Sequence, residues 1–235
     1  MDFNTPVFRN DLLSFLPSDE LERLRPHLRP VTLVLHQVLH EVGSSIDDVF
    51  FPESGLVSLT ADTKDSGLVE VGMTGREGFV GTAVPLNTEA RAVHQAIVQI
   101  PGTAHRMRAP DFRDALAAMP ALRDWCLRYV QFVMVQTAQA AACNARHEMP
   151  ERLARWLLMS HDRIDCDELP MTQEFLSYLL GVRRAGVSVV ANALQSTGVI
   201  RLSRGSLTVL DRAGLEEQAC SCYQMIRDSR RVIMR

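Results

Sequence analysis

Between Met171 and Leu210 the apolar positions change period twice. Phe175, Leu176, Leu179 and Leu180 fall on one helical face, and Gly181 follows where a helix needs a left-handed stop. Thr172 is placed to cap this helix, and Met171 with Leu176 fits a hydrophobic staple across its start. A second helix begins near Arg184. Val187, Val190, Ala191 and Leu194 recur at i, i+3, i+4 and i+7 and form its inner face; Arg184, Ala185, Ser188, Val189 and Asn192 form the other. Gly198 ends it. Ile200–Leu202 and Leu207–Leu210 are short apolar strands, joined by a turn at Ser203-Arg204-Gly205-Ser206.

The N-terminal half has a different texture. Asn10–Leu16 and Asp19–Leu28 read as two short amphipathic helices broken at Pro17, with Ser18 as a cap for the second. Short strand patterns follow at Val31–Leu35, Val38–His40, Val49–Phe51, Leu56–Ala61, Leu68–Met73, Phe79–Gly81, Val93–Ile100 and Ala104–Met107. Gly and Pro signals punctuate them, the signature of a sandwich or jelly roll. Pro110–Leu116 returns to helix. From Pro120 to about Asn144 no glycine or proline interrupts a long helix. Leu122, Cys126, Tyr129, Val133, Gln136, Ala140 and Cys143 step along it by alternating four and three residues, the spacing of a coiled-coil seam. Phe132, Met134 and Val135 leave the helix apolar on a further side, so a partner subunit is expected against it. After a break at 147–150, Glu151–Arg163 is helical. An acidic loop spans Ile164–Leu169, and Asp211 caps a last helix through about Ile226, with a frayed end at Arg227–Arg235.

Charge sharpens the picture at one place. The 235-residue chain has a formal net charge of −3, yet residues 171–210 carry Arg183, Arg184, Arg201 and Arg204 against Glu174 alone. Two helices, a two-stranded wing and local positive charge define a winged helix-turn-helix, whose second helix is suited to the DNA major groove. Small side chains at Ala185 and Ser188 permit close approach to base edges. Lys64 is the only lysine, so the positive charge is almost entirely arginine, which makes bidentate contacts to phosphate and guanine. The polar start and the lack of any apolar stretch near about 20 residues predict a cytoplasmic chain with no membrane span. Five cysteines do not suggest a disulfide framework.

Gly181-Val182-Arg183-Arg184, Val187-Ser188-Val189-Val190 and Leu194-Gln195-Ser196-Thr197-Gly198-Val199-Ile200 resemble the helix-turn-helix of the Crp/Fnr family of bacterial transcription regulators. Phe50–Gly55 resembles the strand-and-glycine turn of that family's cyclic-nucleotide-binding type of β-roll. The resemblance implies an α+β chain: a sensor β-roll over 1–119, a dimerisation helix over 120–145 built on the Leu122, Cys126, Tyr129, Val133, Gln136 and Ala140 stripe, and a winged helix-turn-helix over 146–235. It implies a homodimer on palindromic double-stranded DNA, with RNA polymerase as a further partner. Arg184, Ser188, Ala185 and Val189 would face bases; Thr172, Gln173, Arg183 and Arg204 would hold phosphates. Family members that read cyclic AMP carry Gly-Glu and, further on, Arg followed by Ser or Thr. Here Phe79 follows Gly78, and Ala92 follows Arg91, with Gly81 between them. Only Arg91 keeps its role, so cyclic AMP is not the expected effector.

No other cofactor is implied. The first cysteine is Cys126, so the N-terminal cluster of the family's iron–sulfur sensors is missing. Cys220-Ser221-Cys222 offers a redox or metal pair, but two ligands do not close a zinc site, and no metal is assigned. His36, His40, His94 and His105 lack the His-x-His of a cupin. No Ser-His-Asp set, P-loop or carboxylate pair asks for catalysis. The competing class is a small-ligand or metal-binding jelly-roll enzyme with an appended domain.

Overall fold

The computed structural model describes residues 8–62, 67–181 and 184–235. The chain forms two compact units, Met1–Val57 with Thr74–Val130, and Ser58–Met73 with Gln131–Arg235.

In the first unit, α1 (Asp11–Ser14) is started by Asn10, whose Oδ1 accepts from the Leu13 N–H at 3.2 Å. The Asn10 amide is buried and donates to the carbonyls of Pro52 and Gly78, at 2.9 and 2.8 Å. α2 (Ser18–Leu24) has Pro17 at its cap, not Ser18, which is the first helical residue. The turn that would extend α2 to Leu28 is a separate 3₁₀ turn at Arg25–His27, tightened by Pro26. Strands β1 (Arg29–Leu33), β2 (Val38–His40) and β3 (Asp48–Pro52) follow, and later β6 (Gln95–Ile100) and β7 (Gly102–Arg108). β7 lies between β1 and β3, antiparallel to both; β2 pairs antiparallel with β6 through an irregularity at Val38–His40. The expected strand at Phe79–Gly81 is reduced to one bridge between Val80 and Phe50. α3 (Ala109–Ala118) leads to α4 (Pro120–Arg146). The Glu20 carboxylate accepts from the N–H groups of Ala121 and Leu122 at 3.0 and 2.8 Å, placing negative charge at the α4 N-terminus where the helix dipole favours it.

An aromatic cluster fills the interior of this unit. Phe79 lies 6.0 Å from Phe51, 5.6 Å from Phe112 and 5.4 Å from Tyr129, ring centre to ring centre. Gly78 makes the cluster possible: a Cβ there would lie 1.9 Å from the Tyr129 ring. The Tyr129 hydroxyl donates to Thr74 Oγ1 at 3.0 Å, so its polar end is satisfied inside.

The second unit contains β4 (Leu56–Asp62) beyond its first two residues, β5 (Leu68–Thr74) beside it as far as Met73, and the later part of α4. α5 (Met149–His161) opens with a capping box formed by Glu148 and Glu151. Then come β8 (Glu168–Pro170), α6 (Gln173–Leu180), α7 (Arg184–Ser196), β9 (Ile200–Ser203), β10 (Ser206–Val209), α8 (Arg212–Gln218) and α9 (Cys222–Ile233). The expected acidic loop thus ends in a strand. β8 pairs with β10 through Leu169 opposite Leu207, Leu169 being the large apolar residue of the strand and fully buried. The expected single last helix is two helices. Asp211 Oδ1 caps α8, accepting from Gly214 N at 3.0 Å, and the chain breaks at 219–221 before α9. α9 continues to Ile233 in place of the frayed end, held by the burial of Tyr223 and Ile226.

A charged network ties these helices together. Arg212 donates to Asp162 Oδ1 at 2.5 Å, to the Tyr223 hydroxyl at 2.6 Å and to His161 Nδ1 at 2.7 Å. The His161 ring uses its other nitrogen on Asp167, 2.8 Å away.

The long helix reverses one expectation. Leu122, Cys126 and Tyr129 are fully buried within the first unit; Gln136, Ala140 and Cys143 are buried within the second. Gln136 exchanges two hydrogen bonds with the Met73 backbone, at 3.3 and 3.1 Å. Val133 is half-buried on the same stripe. The stripe assigned to a partner subunit therefore faces the chain's own core. A second stripe at heptad spacing, Leu127, Gln131, Met134, Ala138 and Ala141, is exposed, with Met134 at 68%.

Candidate nucleic-acid interface and effector cavity

Thr172 starts α6, its Oγ1 accepting from the Phe175 N–H at 3.1 Å. Met171 and Leu176 are both buried at this start, as a staple requires. Gly181 ends α6 at φ 64°, in the left-handed region where a side chain is strained. α7 then packs Val187, Ala191 and Leu194 inward. That burial leaves Val189 69% exposed, with Asn192 and Ser196 exposed in the next turns and Ser188 half-buried at the flank. The outward face is narrow and carries small or polar side chains apart from Val189.

The wing is anchored to this helix. Gln195 Oε1 accepts from the Leu202 N–H at 2.6 Å, fixing β9 against the last turn of α7. The β9–β10 pairing runs from Ile200 opposite Val209 to Ser203 opposite Ser206. Arg204 and Gly205 form the tip, Gly205 at φ 82°. Arg201 and Arg204 are exposed on the wing. Arg183 and the side chains of Gln173, Arg184 and Ala185 lie outside the described residues; Arg184 is placed only as the first residue of α7. The Thr172 hydroxyl, expected on a phosphate, is already an acceptor in the cap, leaving only its proton to donate outward.

The expected effector pocket is not where the cassette residues lie. Phe79 is fully buried in the aromatic cluster, Gly78 is covered by the Tyr129 ring, Ala92 is buried, and Gly81 lies against Val49. None of the four lines the arginine-rich cavity that Arg91 borders. Arg91 is exposed and donates to the Gly43 carbonyl at 2.9 Å. It borders a different space, an open cavity of about 800 Å³ on the first unit, together with Arg106, Arg108 and Arg113. Asp47, Asp48 and Glu89 share the wall, and Asp48 pairs with Arg106 at 3.7 Å. Four guanidiniums against three carboxylates make a polar cavity with a small excess of positive charge. The glycine pattern of the cassette points to Arg91 but not to its three arginine neighbours. Arg106 and Arg108 sit on a strand 15 or more residues further on, and their convergence is a product of sheet pairing.

Comparison with known proteins places this geometry. Residues 151–218 match the Crp-like helix-turn-helix domain. No curated protein matches the chain in sequence. Among solved structures, FixK2 from Bradyrhizobium japonicum is similar at 14% identity, covering 82% of this chain and 98% of its own, with a TM-score of 0.68. A CRP/FNR-family transcriptional regulator of Thermus thermophilus is similar at 18% identity over 81% of this chain and 98% of its own, TM-score 0.61. The c-di-GMP-responsive global regulator CLP of Xanthomonas campestris is similar at 14% identity over 82% and 99%, TM-score 0.62. The chain has the fold of the Crp/Fnr regulators. Its residues 151–218 are a Crp-like helix-turn-helix domain.

Proposed function

We propose that this protein is a sequence-specific DNA-binding transcription regulator of Crp/Fnr type, acting as a homodimer on a two-fold symmetric site and engaging RNA polymerase there. The observation that carries the reading is α7: a helix with a buried inner face and a narrow, exposed outer face, pinned to a wing that carries Arg201 and Arg204. Arg184, Ala185, Ser188 and Val189 are proposed to face bases, and Asn192 extends that face by one turn. Gln173, Arg183, Arg204 and the Thr172 hydroxyl are proposed to meet phosphates.

The dimer is proposed on α4 through the exposed stripe of Leu127, Gln131, Met134, Ala138 and Ala141. Its alternating four-and-three spacing suits a two-stranded coiled coil, and the small alanines allow close approach near the C-terminal end. Cyclic AMP is not proposed as effector. The position of the family's Glu is taken by Phe79, whose ring fills the interior among Phe51, Phe112 and Tyr129. An anionic effector, if one acts on the first unit, has the arginine-lined cavity beside Arg91 available.

The test is sedimentation of the protein alone and with a labelled duplex carrying its own promoter region. The expected result is a dimer that stays a dimer on DNA, with affinity falling steeply with salt as phosphate contacts release counterions. A monomer that binds DNA with full affinity would overturn the dimer. Failure to bind any duplex at low salt would overturn the regulator reading.

A further inference from the structure

The second unit brings together two pairs of residues that the sequence keeps far apart. Cys143, on the last turn of α4, and His147, just past its end, are four residues apart and so share one side of the helix. Cys220 lies in the break between α8 and α9, and Cys222 is the first residue of α9. The Cys143 and Cys220 sulfurs are 3.5 Å apart, and the Cys222 sulfur is 3.3 Å from His147 Nδ1. One donor atom from each of the four lies within 4.8 Å of every other. The three cysteines are buried and His147 is half-buried.

These distances have a chemical meaning. A zinc ion with sulfur ligands at about 2.3 Å and tetrahedral angles sets its sulfurs about 3.8 Å apart. The Cys143–Cys220 pair lies a few tenths of an ångström inside that edge, the Cys222–His147 pair lies as close to the sulfur–nitrogen edge of about 3.5 Å, and the 4.8 Å span is what one ion draws together with small side-chain shifts. A [4Fe–4S] cluster holds its four ligands on four separate irons, and a [2Fe–2S] cluster divides them between two, so neither draws all four donors into one coordination sphere. Thiols that merely fill apolar space have no need of an imidazole nitrogen among them, whereas three sulfurs and one nitrogen make a complete structural zinc set.

The surroundings support the set. The Gln139 side-chain amide donates to the Cys222 sulfur at 3.0 Å, the kind of outer contact that orients a thiolate ligand. Three thiolates and one dication leave a net charge of −1. Arg152 and Arg155, both close enough to Cys143 to interact electrostatically, each keep a buried Nε with no hydrogen-bond partner among the described residues. Two guanidiniums beside an anionic site offset the cost of burying it.

We propose that Cys143, His147, Cys220 and Cys222 form a tetrahedral binding site for one zinc-type divalent cation. The ion would clamp the end of α4 to the start of α9, so its loss would loosen the C-terminal helix-turn-helix domain from the helix that precedes it. An effect of the ion on DNA affinity rests on the regulator reading; binding of the ion does not.

The experiment titrates cobalt(II) into the reduced, metal-free full-length protein and follows absorption. The expected result is one equivalent bound, with tetrahedral d–d bands and sulfur-to-cobalt charge transfer, displaced by one equivalent of zinc. Cys220→Ser/Cys222→Ser should lose these bands, whereas Cys166→Ser, at an exposed cysteine outside the cluster, should keep them. Circular dichroism of each variant separates lost binding from lost folding. Bands that persist unchanged in a folded Cys220→Ser/Cys222→Ser protein would overturn the site, as would reduced wild-type protein that binds no cobalt. Isolation of a Cys143–Cys220 disulfide in a protein that, once reduced, still takes up no ion would overturn it in favour of a redox pair.

Discussion

The indole N–H of Trp156 donates to Glu70 Oε1 at 2.7 Å, and the other carboxylate oxygen accepts from the Ser58 hydroxyl at 2.6 Å. Trp156 belongs to α5 and Glu70 to β5, so the bond joins a sheet strand to the first helix of the C-terminal domain inside the second unit. Glu70 is fully buried. Burial pushes its carboxyl up to about 7, against the opposing pull of the two hydrogen bonds and of Arg155 and Arg163.

That position makes stability depend on pH in a defined direction. The folded-state value lies above the ordinary 4.5, so the folded chain holds the proton more tightly than the unfolded one. The resulting stabilisation is complete below about pH 4.5, declines above it and is gone once the pH has passed about 7; its upper size is about 3 kcal/mol. Glu70→Gln keeps an acceptor for Trp156 and a polar partner for Ser58 without titrating. Urea unfolding from pH 5 to pH 8 should show the variant gaining on the wild type as pH rises. A stability difference constant across that range would contradict the assignment.

The two stripes of α4 should respond differently to substitution. Met134→Glu places like charges near each other across the proposed dimer axis, and is expected to weaken dimerisation about 100-fold or more while leaving the monomer folded. Cys126→Ser sits in the fully buried stripe and is expected to cost about 1–3 kcal/mol of folding stability without a specific effect on dimerisation. Sedimentation and thermal melting of the two variants would distinguish the stripes. A Met134→Glu protein that remains dimeric would return the interface to another surface.

Arg212 makes charge-assisted bonds to Asp162 and contacts Tyr223 and His161, but its side chain is 35% exposed, which screens the interaction. Arg212→Ala is expected to cost about 1–2 kcal/mol, with the loss centred on α5, α8 and α9. Hydrogen exchange should show faster opening in those three helices and little change in β1, β3 and β7.

Much of the fold is legible in local pattern. The α6–α7 pair, its capping threonine, the glycine stop and the wing all follow from short-range rules, because each is decided within a few residues. What the chain hides are contacts made at long sequence separation. α4 carries two heptad-spaced stripes, both apolar enough to be a seam. Tyr129 faces inward because Gly78 leaves room for its ring, and Gln136 because the Met73 backbone is there to pair with it. Neither fact is written in α4 itself. The break at 219–221 has no glycine or proline to announce it, so α9 and the placement of Cys220 beside Cys143 were hidden together. β8 was hidden by its acidic neighbours, Leu169 alone carrying the signal.

The proposed base contacts are open to a direct comparison of two arginines. Arg184→Ala is expected to relax a single guanine position in the half-site, since a bidentate arginine supplies about 1–3 kcal/mol of discrimination there. Arg204→Ala, at the exposed wing tip, is expected to weaken all sequences about equally and to lower the salt dependence. The apolar pair at positions 185 and 189 suits a thymine methyl beside that guanine. An Arg184→Ala protein that selects an unchanged consensus would contradict the docking.

Selection of bound duplexes from a random pool by the full-length protein tests the dimeric DNA-binding reading. The expected product is an inverted repeat with half-sites one helical turn apart, roughly 34–36 Å centre to centre, each with a guanine and a neighbouring thymine. Enrichment of no sequence, or of a single half-site without its inverted partner, would contradict it.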